Sequence, residues 1–208
     1  MKLDCLYGFI PNNVLKELPD IIKNYEINTP NRLAHFLGQL KVESNFTSRR
    51  ENLDYSAKRI LKIFGKKIKT LQEAKKYAHN PEALGNKIFS GGYKYFGRGF
   101  IQLTHDYNYN SFGEYIGVDL INNPDLVASK YPLESSAWYF KTRVSNAQDL
   151  PLTDLGIKAV TSRINAKLLH LKLRIYQSRK FYQIINCQYN RSPDDDKNYI
   201  PKKTIEFM

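Results

Sequence analysis

Two glutamates separated by eight positions are the residues of this sequence best suited to acid–base chemistry. Glu43 follows Phe36 by seven positions and Leu40 by three, so on a helix its carboxylate continues an apolar stripe near the C-terminal end. Burial and the negative end of the helix dipole would both raise the pKa of this carboxyl group, as a general acid requires. If the helix instead frays before residue 43, Glu43 is an ordinary solvated glutamate.

The second glutamate, Glu51, lies in a polar stretch of the sequence beside Arg49 and Arg50. The neighbouring guanidinium groups and water are expected to keep its carboxylate ionised. Two carboxylates in opposite environments suggest an acid and a base. Inverting glycosidases use such a pair, with the two groups about 6.5–9.5 Å apart to admit a water molecule. The alternative for Glu51 is a solvated loop residue in a surface salt bridge.

The elements that must position these side chains are mainly helical. Thr29-Pro30 is typical of a helix N-cap and first turn. Four apolar residues at helical spacing predict the buried face of that helix: Leu33, Phe36, Leu37 and Leu40. Further helices are predicted from Ser56 to a stop at Gly65, from the capping box Thr70–Glu73, from Asn80-Pro81, over 105–116 with Thr104 as cap, from Pro132, over 153–164 and over 167–186. Residues 90–99, rich in glycine and aromatic side chains, predict a loop or short hairpin.

Composition limits the classes of protein that fit. The chain has 208 residues, 42% of them hydrophobic, which is enough for one globular domain with a buried core. No apolar run approaches the ~20 residues of a membrane span. The net charge of +12 favours polyanionic partners, such as nucleic acid, anionic lipid or a bacterial wall polymer.

Cysteine and histidine usage argues against redox and metal chemistry. Cys5 and Cys187 are too distant in sequence for a CxxC pair, so free thiols in a reducing compartment are expected. The first residues lack the pattern of an export signal. The four histidines have no metal-ligand spacing, and neither a metal nor another cofactor is expected.

Five segments, in this order, resemble glycoside hydrolase family 19, which comprises chitinases and related lysozyme-type endolysins of phages. They are Leu33-Ala34-His35-Phe36-Leu37-Gly38-Gln39, Val42-Glu43-Ser44, Glu51-Asn52-Leu53-Asp54-Tyr55-Ser56-Ala57, Gly97-Arg98-Gly99-Phe100-Ile101-Gln102-Leu103-Thr104-His105-Asp106-Tyr107-Asn108-Tyr109 and Thr161-x-Arg163-Ile164-Asn165. The resemblance covers roughly residues 30–180. It departs from the family at Val42, where histidine is frequent, and at Asn165-Ala166-Lys167, where the family often has Asn-Gly-Gly.

The resemblance implies a mainly α, lysozyme-like fold of two lobes around a cleft, with a small hairpin or loop region beside it. This catalytic domain would occupy residues 1–186 and be followed by a polar tail, 187–208. The implied reaction is inverting hydrolysis of β-1,4 bonds between N-acetylated sugars. Glu43 matches the general acid and Glu51 the general base. Thr104 matches a hydroxyl that helps to hold the attacking water, and it is equally suited to act as a helix N-cap.

The same resemblance implies a set of sugar-binding positions: Gln102, Tyr107, Asn108 and Asn165. Asn165 is equally well explained as a helix C-cap. Arg98 is a further candidate at the substrate site, although its place between two glycines suggests that it stabilises the loop or the carboxylates. Three aromatic residues are candidates for stacking on sugar rings or for packing within the loop: Tyr93, Tyr95 and Phe96.

Charge distinguishes among the possible substrates. Peptidoglycan is polyanionic and chitin nearly neutral, so the net charge of +12 favours an endolysin that acts on peptidoglycan glycan strands. Such a protein is expected to be a monomer that waits in the host bacterial cytoplasm and reaches the periplasmic wall after release. The alternatives are a chitinase, a basic nucleic-acid-binding protein, which no recognisable motif supports, and an inactive wall-binding relative. Four cations near the C-terminus are candidates for contact with anionic outer-membrane lipid: Lys172, Arg174, Arg179 and Lys180.

Overall fold

The computed structural model describes residues 1–190, and the predicted tail from residue 191 onwards lies outside the described residues. As predicted, the chain is mainly helical. The α-helices are α1 (Asn12–Asn24), α2 (Pro30–Ser44), α3 (Ala57–Phe64), α4 (Leu71–Lys75), α5 (Pro81–Ile88), α6 (Asp106–Ile116), α7 (Leu126–Ser129), α8 (Pro132–Tyr139), α9 (Asp154–Ile164) and α10 (Leu171–Ile185). The strands are β1 (Arg49–Arg50) and β2 (Arg98–Gly99). Short 3-10 segments span Leu3–Leu6, Tyr93–Tyr95 and Ser145–Asp149, and a π-helical turn, Phe140–Val144, follows α8.

The chain divides into two compact units. The first contains residues 1–47 together with the described chain from residue 133 onwards, and the second contains residues 48–132. Glu43 belongs to the first unit and Glu51 to the second. No helix of residues 1–190 is both long enough and apolar enough to cross a membrane.

Helix α2 lies at the centre of the first unit. The Thr29 hydroxyl caps it by accepting a hydrogen bond from the Arg32 N–H at 3.2 Å. Its predicted apolar face is at most 1% exposed: Leu33, Phe36, Leu37 and Leu40. The helix continues to Ser44 and ends where Asn45 adopts the left-handed conformation. Glu43 is therefore a helical residue, and the frayed alternative is wrong.

Helix α10 packs along α2. Its buried face consists of residues at helical spacing: Arg174, Gln177, Ser178, Phe181, Ile184 and Ile185. Gly38 permits the close approach, since a Cβ atom there would lie 2.6 Å from the Ser178 Cα. The helix begins at Leu171, later than predicted, because Leu168 and His170 have positive φ angles.

The four cations of α10 that were predicted to face lipid do not form one exposed surface. Arg174 is only 2% exposed and points into the first unit. Arg179 pairs with Asp154, with 2.6 Å between Nη2 and Oδ1. Lys180 lies over the ring of Tyr189, with Nζ 4.9 Å from the centroid. The prediction of four lipid-facing cations on this helix is therefore wrong for Arg174, because the apolar periodicity of α10 turns that position inward.

A disulfide joins Cys5 to Cys187, whose Cα atoms lie 5.7 Å apart. It links the Leu3–Leu6 segment to the chain just after α10, and the two elements are in contact. The expectation of free thiols is wrong, because a separation of 182 residues in sequence says nothing about distance in a folded chain.

The second unit contains the five helices α3 to α7 and the two-stranded sheet. The predicted caps are confirmed, since Ser56, Thr70 and Asn80 accept hydrogen bonds from the first turns of α3, α4 and α5. These helices enclose an apolar cluster: Leu53, Ile60, Ile68, Ala74, Leu84 and Ile88. Strand β1 pairs with β2 in antiparallel register, Arg49 opposite Gly99 and Arg50 opposite Arg98. The predicted short hairpin region thus pairs through its last residues with the segment just before Glu51.

Two helices have no counterpart in the sequence prediction. Helix α1 contains Pro19 in its interior and buries Val14, Leu18 and Ile21. Proline is a poor indicator of helix in sequence, because it removes one backbone hydrogen bond, and burial of three apolar side chains outweighs that loss here. Helix α7 is a single turn, too short to give a periodic signal.

Candidate active site

The carboxylate of Glu43 is fixed by a buried cation within the first unit. Its Oε1 accepts a hydrogen bond from Nη2 of Arg174 at 2.6 Å. The side chain of Arg174 is 2% exposed and that of Glu43 is 16% exposed. A charge-assisted contact this short and this well buried holds the carboxylate in one orientation.

Arg174 is itself held by two further contacts. Its Nη1 donates to Oε1 of Gln39 at 2.7 Å, and its Nε donates to the Leu169 carbonyl at 2.9 Å. Gln39 precedes Glu43 by four residues on α2, so both side chains lie on one face of the helix. The amide nitrogen of Gln39 donates to the Thr161 hydroxyl at 3.1 Å. This network leaves Oε2 of Glu43 without a hydrogen-bond partner among residues 1–190.

The sequence correctly placed Glu43 at the end of an apolar helix face but missed Arg174. The predicted apolar surroundings are wrong on the side that faces α10, where a guanidinium group lies. A signal was present: residues 174, 177, 178, 181, 184 and 185 have the spacing of one buried helix face. An arginine in such a stripe needs a buried anion or several acceptors.

Glu51 is fixed by the backbone of Gly97 in the second unit. The Glu51 N–H donates to the Gly97 carbonyl at 2.8 Å, which extends the β1–β2 pairing by one residue. The Gly97 N–H donates in return to Oε2 of Glu51 at 3.2 Å. Burial raises the pKa of Glu51, and the hydrogen bond from Gly97 opposes that rise.

The prediction of a well solvated Glu51 is therefore wrong. Pairing of β1 with β2 turns the Glu51 side chain toward Gly97, and the guanidinium of Arg50 lies 3.3 Å from Asp125 instead. The same burial acts on Tyr55, whose pKa is raised by desolvation and further by the charge of Glu51. Sequence neighbours along a strand point to opposite faces, which explains why the adjacent arginine does not neutralise this carboxylate.

Gly97 lies against the ends of two side chains. A Cβ atom at this position would lie 3.0 Å from Oε2 of Glu51 and 2.9 Å from Oε1 of Gln102. The amide nitrogen of Gln102 donates to the carbonyls of Gly99 at 2.9 Å and Arg49 at 3.2 Å. The predicted sugar-binding Gln102 thus lies close to Glu51, with its nitrogen already bound to the backbone.

Arg98 supports the loop that carries Gly97, the role that its position between glycines suggests. It is 4% exposed, and its Nε lies 2.8 Å from Oδ1 of Asp125. Its Nη1 donates to the Lys94 carbonyl at 2.9 Å and to the Tyr109 hydroxyl at 3.0 Å. Burial raises the pKa of Tyr109 to about 12. With all these contacts internal, Arg98 positions the loop.

The aromatic residues of this loop pack inside the second unit. Tyr95 is 7% exposed and contacts Tyr109 edge to face at 5.4 Å between centroids. The rings of Tyr93 and Phe96 lie 5.2 Å apart, and both border the apolar cluster beneath α3 to α5. Packing is therefore the role that the structure supports for these three side chains.

The start of α6 places three predicted site residues in one turn. His105, with φ of 71°, occupies the N-cap position, so the prediction that Thr104 caps this helix is wrong by one residue. The Thr104 hydroxyl has no hydrogen-bond partner among residues 1–190. Asn108 is 7% exposed, and its Nδ2 donates to the Thr104 carbonyl at 2.8 Å. Tyr107 is 53% exposed, and its ring stacks on His105 at 5.2 Å with planes 7° apart.

Asn165 is the C-cap of α9 in the first unit. Its N–H donates to the Thr161 carbonyl at 2.7 Å, and its Oδ1 accepts a hydrogen bond from the Leu169 N–H at 3.3 Å. The capping interpretation of Asn165 is thus confirmed. Its amide nitrogen has no partner among residues 1–190, so capping and a contact to a ligand are compatible.

Glycoside hydrolases use a pair of carboxyl groups, and two fixed glutamates on a mainly helical chain are compatible with that chemistry. The family model described as chitinase class I, that of glycoside hydrolase family 19, matches residues 32–151. The chain belongs to this family, as the sequence motifs indicated.

Individual relatives agree with this membership. A glycosyl hydrolase family 19 domain-containing protein of Haemophilus influenzae is 34% identical over 150 residues, which cover 65% of this chain and 70% of the relative. Endochitinase 1 of Solanum tuberosum is 57% identical over 53 residues, 24% of this chain and 17% of the plant protein. The match therefore spans less than a fifth of that plant enzyme.

Solved structures show the same fold. A chitinase C mutant superposes with a TM-score of 0.56 at 20% identity, covering 82% of this chain and 83% of the other. A bacterial family 19 chitinase gives a TM-score of 0.54 at 21% identity, covering 85% and 87%.

Proposed function

We propose that this chain is an inverting glycosidase that hydrolyses β-1,4 bonds between N-acetylated sugars, with Glu43 as general acid and Glu51 as general base. One observation carries the proposal. Each carboxylate is held through one oxygen, Glu43 by Arg174 and Glu51 by Gly97, while its second oxygen has no hydrogen-bond partner among residues 1–190. The match of Glu43 and Glu51 to the sequence motifs of the family supports this choice of roles.

In the proposed reaction, the proton on Oε2 of Glu43 passes to the glycosidic oxygen as the bond to the anomeric carbon breaks. Glu51 takes a proton from a water molecule, whose oxygen attacks that carbon from the opposite face. Both protons and the leaving oxygen are then accounted for. Arg174 stabilises the carboxylate that Glu43 becomes. The hydroxyl of Thr104, which has no hydrogen-bond partner among residues 1–190, is suited to orient the water, because it can donate and accept at once.

Burial gives Glu51 a property that a base needs. Since its pKa is raised, its ionised form is a stronger proton acceptor than an exposed glutamate. The price is that Glu51 becomes protonated at a higher pH than an ordinary glutamate. The activity is therefore expected to fall on the acid side at a pH above the usual range for glutamate.

The proposed sugar contacts differ in how free their polar groups are. The exposed ring of Tyr107 can stack on a sugar. The amide nitrogen of Asn165 has no partner within the described part of the chain and can donate to an N-acetyl or hydroxyl oxygen. In Gln102 and Asn108 the amide nitrogens are bound to backbone carbonyls. These two residues would meet substrate through their oxygens, or would position Gly97 and Thr104. Arg98 is proposed to act through the loop alone.

As the substrate we propose bacterial peptidoglycan, with the chain acting as an endolysin. The support is the net charge of +12, because an anionic polymer attracts such a protein and a neutral one does not. The disulfide agrees with work in an oxidising compartment such as the periplasm. The route from the host cytoplasm and the monomeric state remain part of the same proposal. Nucleic acid is not proposed as a partner.

Chitin is the second candidate, and the names of the relatives favour it. The plant proteins that match part of this chain are endochitinases, and the superposed structures are those of chitinases. Chitin shares the N-acetylglucosamine units and the β-1,4 linkage but lacks the peptide stems and their carboxylates. The choice between the two substrates therefore depends on a direct comparison.

The test measures the release of reducing ends from purified sacculi and from soluble chitin oligomers, at equal enzyme and sugar concentrations. Mass spectrometry of the fragments identifies the bond cut, and Glu43→Gln serves as the blank. Faster cleavage of sacculi supports the endolysin proposal, and faster cleavage of chitin oligomers assigns the chain as a chitinase. If neither polymer is cleaved above the blank, the glycosidase proposal itself is wrong.

A further inference from the structure

One stretch of the second unit is rich in positive charge. Residues 57–88, which contain α3, α4 and α5, hold nine lysines and arginines and two glutamates, a net charge of +7. This stretch accounts for more than half of the net charge of +12 in about a sixth of the chain. Such a density of one sign on a small helical unit produces a local field that a uniform distribution would not.

The packing of the second unit directs these cations outward. Ile60, Ile68, Ala74 and Leu84 fill the apolar cluster, so the opposite faces of the helices carry the charges. Six exposed lysines form what we call the lysine cluster: Lys58, Lys62, Lys66, Lys69, Lys75 and Lys76.

The lysine cluster has almost no internal counter-charge. The carboxylate of Glu73 already has two contacts. Its Oε1 lies 3.3 Å from Nζ of Lys87, and its Oε2 accepts a hydrogen bond from the Lys69 backbone N–H at 3.0 Å. No lysine of the cluster has a carboxylate within 4.0 Å among residues 1–190. Lys58 and Lys62 are four residues apart on α3, where like charges repel and cost stability. A bound polyanion would relieve that repulsion.

Part of the positive charge of the first unit is neutralised by ion pairs. Arg32 pairs with Asp149, Lys141 with Glu26, Arg174 with Glu43 and Arg179 with Asp154. Among residues 1–190 the two units carry the same net charge, +6 each, so the lysine cluster differs from the first unit in local density and not in total charge. Glu51 belongs to the second unit, so a polymer attracted by the cluster is brought to the unit that holds the proposed base.

We propose that the lysine cluster is an electrostatic docking surface for the anionic cell-wall polymer, separate in its chemistry from the sugar-binding positions. The inference rests on the proposed action on peptidoglycan. The ligand groups are the carboxylates of the peptide stems, which repeat along the glycan strand. Several weak contacts made together hold the enzyme on the wall between cleavage events. Because the lysines are exposed, the attraction weakens as salt rises and the Debye length falls below about 10 Å.

The test compares two variants with the same change in net charge. In the cluster variant, glutamine replaces Lys58, Lys62, Lys66 and Lys75. In the control variant, glutamine replaces four exposed lysines of the first unit: Lys16, Lys23, Lys158 and Lys172. The Kd for purified sacculi is measured by cosedimentation across a salt series, with chitin particles as a nearly neutral polymer. Hydrolysis of soluble chitin oligomers is measured in parallel.

For the cluster variant, we expect the Kd for sacculi to rise about tenfold at low salt and the salt dependence to flatten. Binding to chitin particles and turnover of soluble oligomers should stay unchanged. The control variant should change the Kd less than about threefold. Equal losses in both variants would mean that net charge alone matters, and an unchanged Kd in the cluster variant would mean that the surface is not used. Either result overturns the inference.

The binding assay is independent of catalysis, so the two proposals fail in different ways. Sacculi that are bound by the wild type but never cleaved would contradict the proposed function and leave the docking surface intact. Cleavage of sacculi with no difference between the variants would do the reverse. Tighter binding to duplex DNA than to sacculi, lost in the cluster variant alone, would assign the surface to nucleic acid and contradict the inference.

Discussion

The two glutamates are held by different kinds of group, a buried guanidinium in one unit and a backbone N–H in the other. Glu43 is oriented by the guanidinium group of Arg174, which comes from a helix distant in sequence. Gln39 fixes Arg174 in turn. Glu51 is oriented by the backbone of Gly97, and burial raises its pKa. A cation stabilises the anion that a general acid becomes after proton transfer. Desolvation of a carboxylate makes it a stronger base.

The two contacts are also sensitive to different substitutions. The contact of Glu43 depends on two long side chains in a packed helix pair, so it can be broken by removing charge or volume. The contact of Glu51 depends on the close approach of a backbone that lacks a Cβ atom. A single methyl group is enough to disturb it.

The largest effect is expected from removing the acid. Glu43→Gln keeps the shape of the side chain and cannot donate the proton, so kcat should fall about 10³-fold. Release of reducing ends measures the loss, and circular dichroism checks that the fold is kept. Activity within a few-fold of the wild type would exclude Glu43 as the general acid.

Removing the base should cost somewhat less activity and should also change stability. Glu51→Gln is expected to lower kcat about 10²-fold, because water then attacks without a base. A raised pKa means that the folded state binds the proton more tightly than the unfolded state, so the ionised Glu51 costs stability above its ordinary range. The variant should therefore melt at a higher temperature than the wild type at pH 7.

The stability gain of Glu51→Gln should disappear at a pH below the ordinary pKa of glutamate, where the wild type is protonated in both states. Thermal melts at pH 7 and in acid measure the difference. The matched wild-type experiment is the pH profile of kcat/KM, whose acid limb should lie above the usual glutamate range. A gain that persists in acid would contradict the assigned cause, which is desolvation of a charge.

Removing the buried guanidinium group tests the contact that orients Glu43. Arg174→Leu leaves Glu43 and Gln39 facing an apolar side chain, and the free energy of unfolding should fall by about 3 kcal/mol. Chemical denaturation measures this loss. Adding Glu43→Gln to Arg174→Leu should restore part of it, because the unpaired charge is then gone. Additive losses in the double variant would show that the ion pair is not coupled.

A smaller effect is expected from a methyl group beside Glu51. Gly97→Ala places a Cβ atom against the side chains of Glu51 and Gln102, so kcat/KM should fall about tenfold through misplacement of the base. The acid limb of the pH profile should also shift, since the Gly97 N–H no longer meets the carboxylate squarely. Gly99 and Gly117 are unsuitable positions for a control, because their φ angles are positive and an alanine there would be strained. Ala83→Ser on α5 is a neutral comparison.

The smallest effect is expected at Thr104. Thr104→Ala removes a hydroxyl that has no partner among residues 1–190 and does not cap α6, so stability should change by less than about 0.5 kcal/mol. Activity should fall a few-fold if the hydroxyl orients water, and Thr104→Ser should restore it. A loss of stability without a loss of activity would mean that the hydroxyl is structural.

Local signals in the sequence predicted much of the fold. The caps at Thr29, Ser56, Thr70 and Asn80 lie where they were placed, because each side chain bonds to an N–H only three residues away. The C-cap at Asn165 and the loop role of Arg98 also follow from near neighbours. Helix α1 was not predicted, because Pro19 in its interior disfavours a helix locally and the helix is stabilised by packing of its apolar side chains.

The sequence by itself determined which residues are present, which family the chain belongs to, and which face of α2 carries Glu43. It did not determine the environment of either carboxylate. Arg174 is 131 positions from Glu43, Gly97 is 46 positions from Glu51, and the two cysteines of the disulfide are 182 apart. Solvation and charge act through space over a few ångströms. Which groups stand at that distance was therefore decided only when the helices packed and the strands paired.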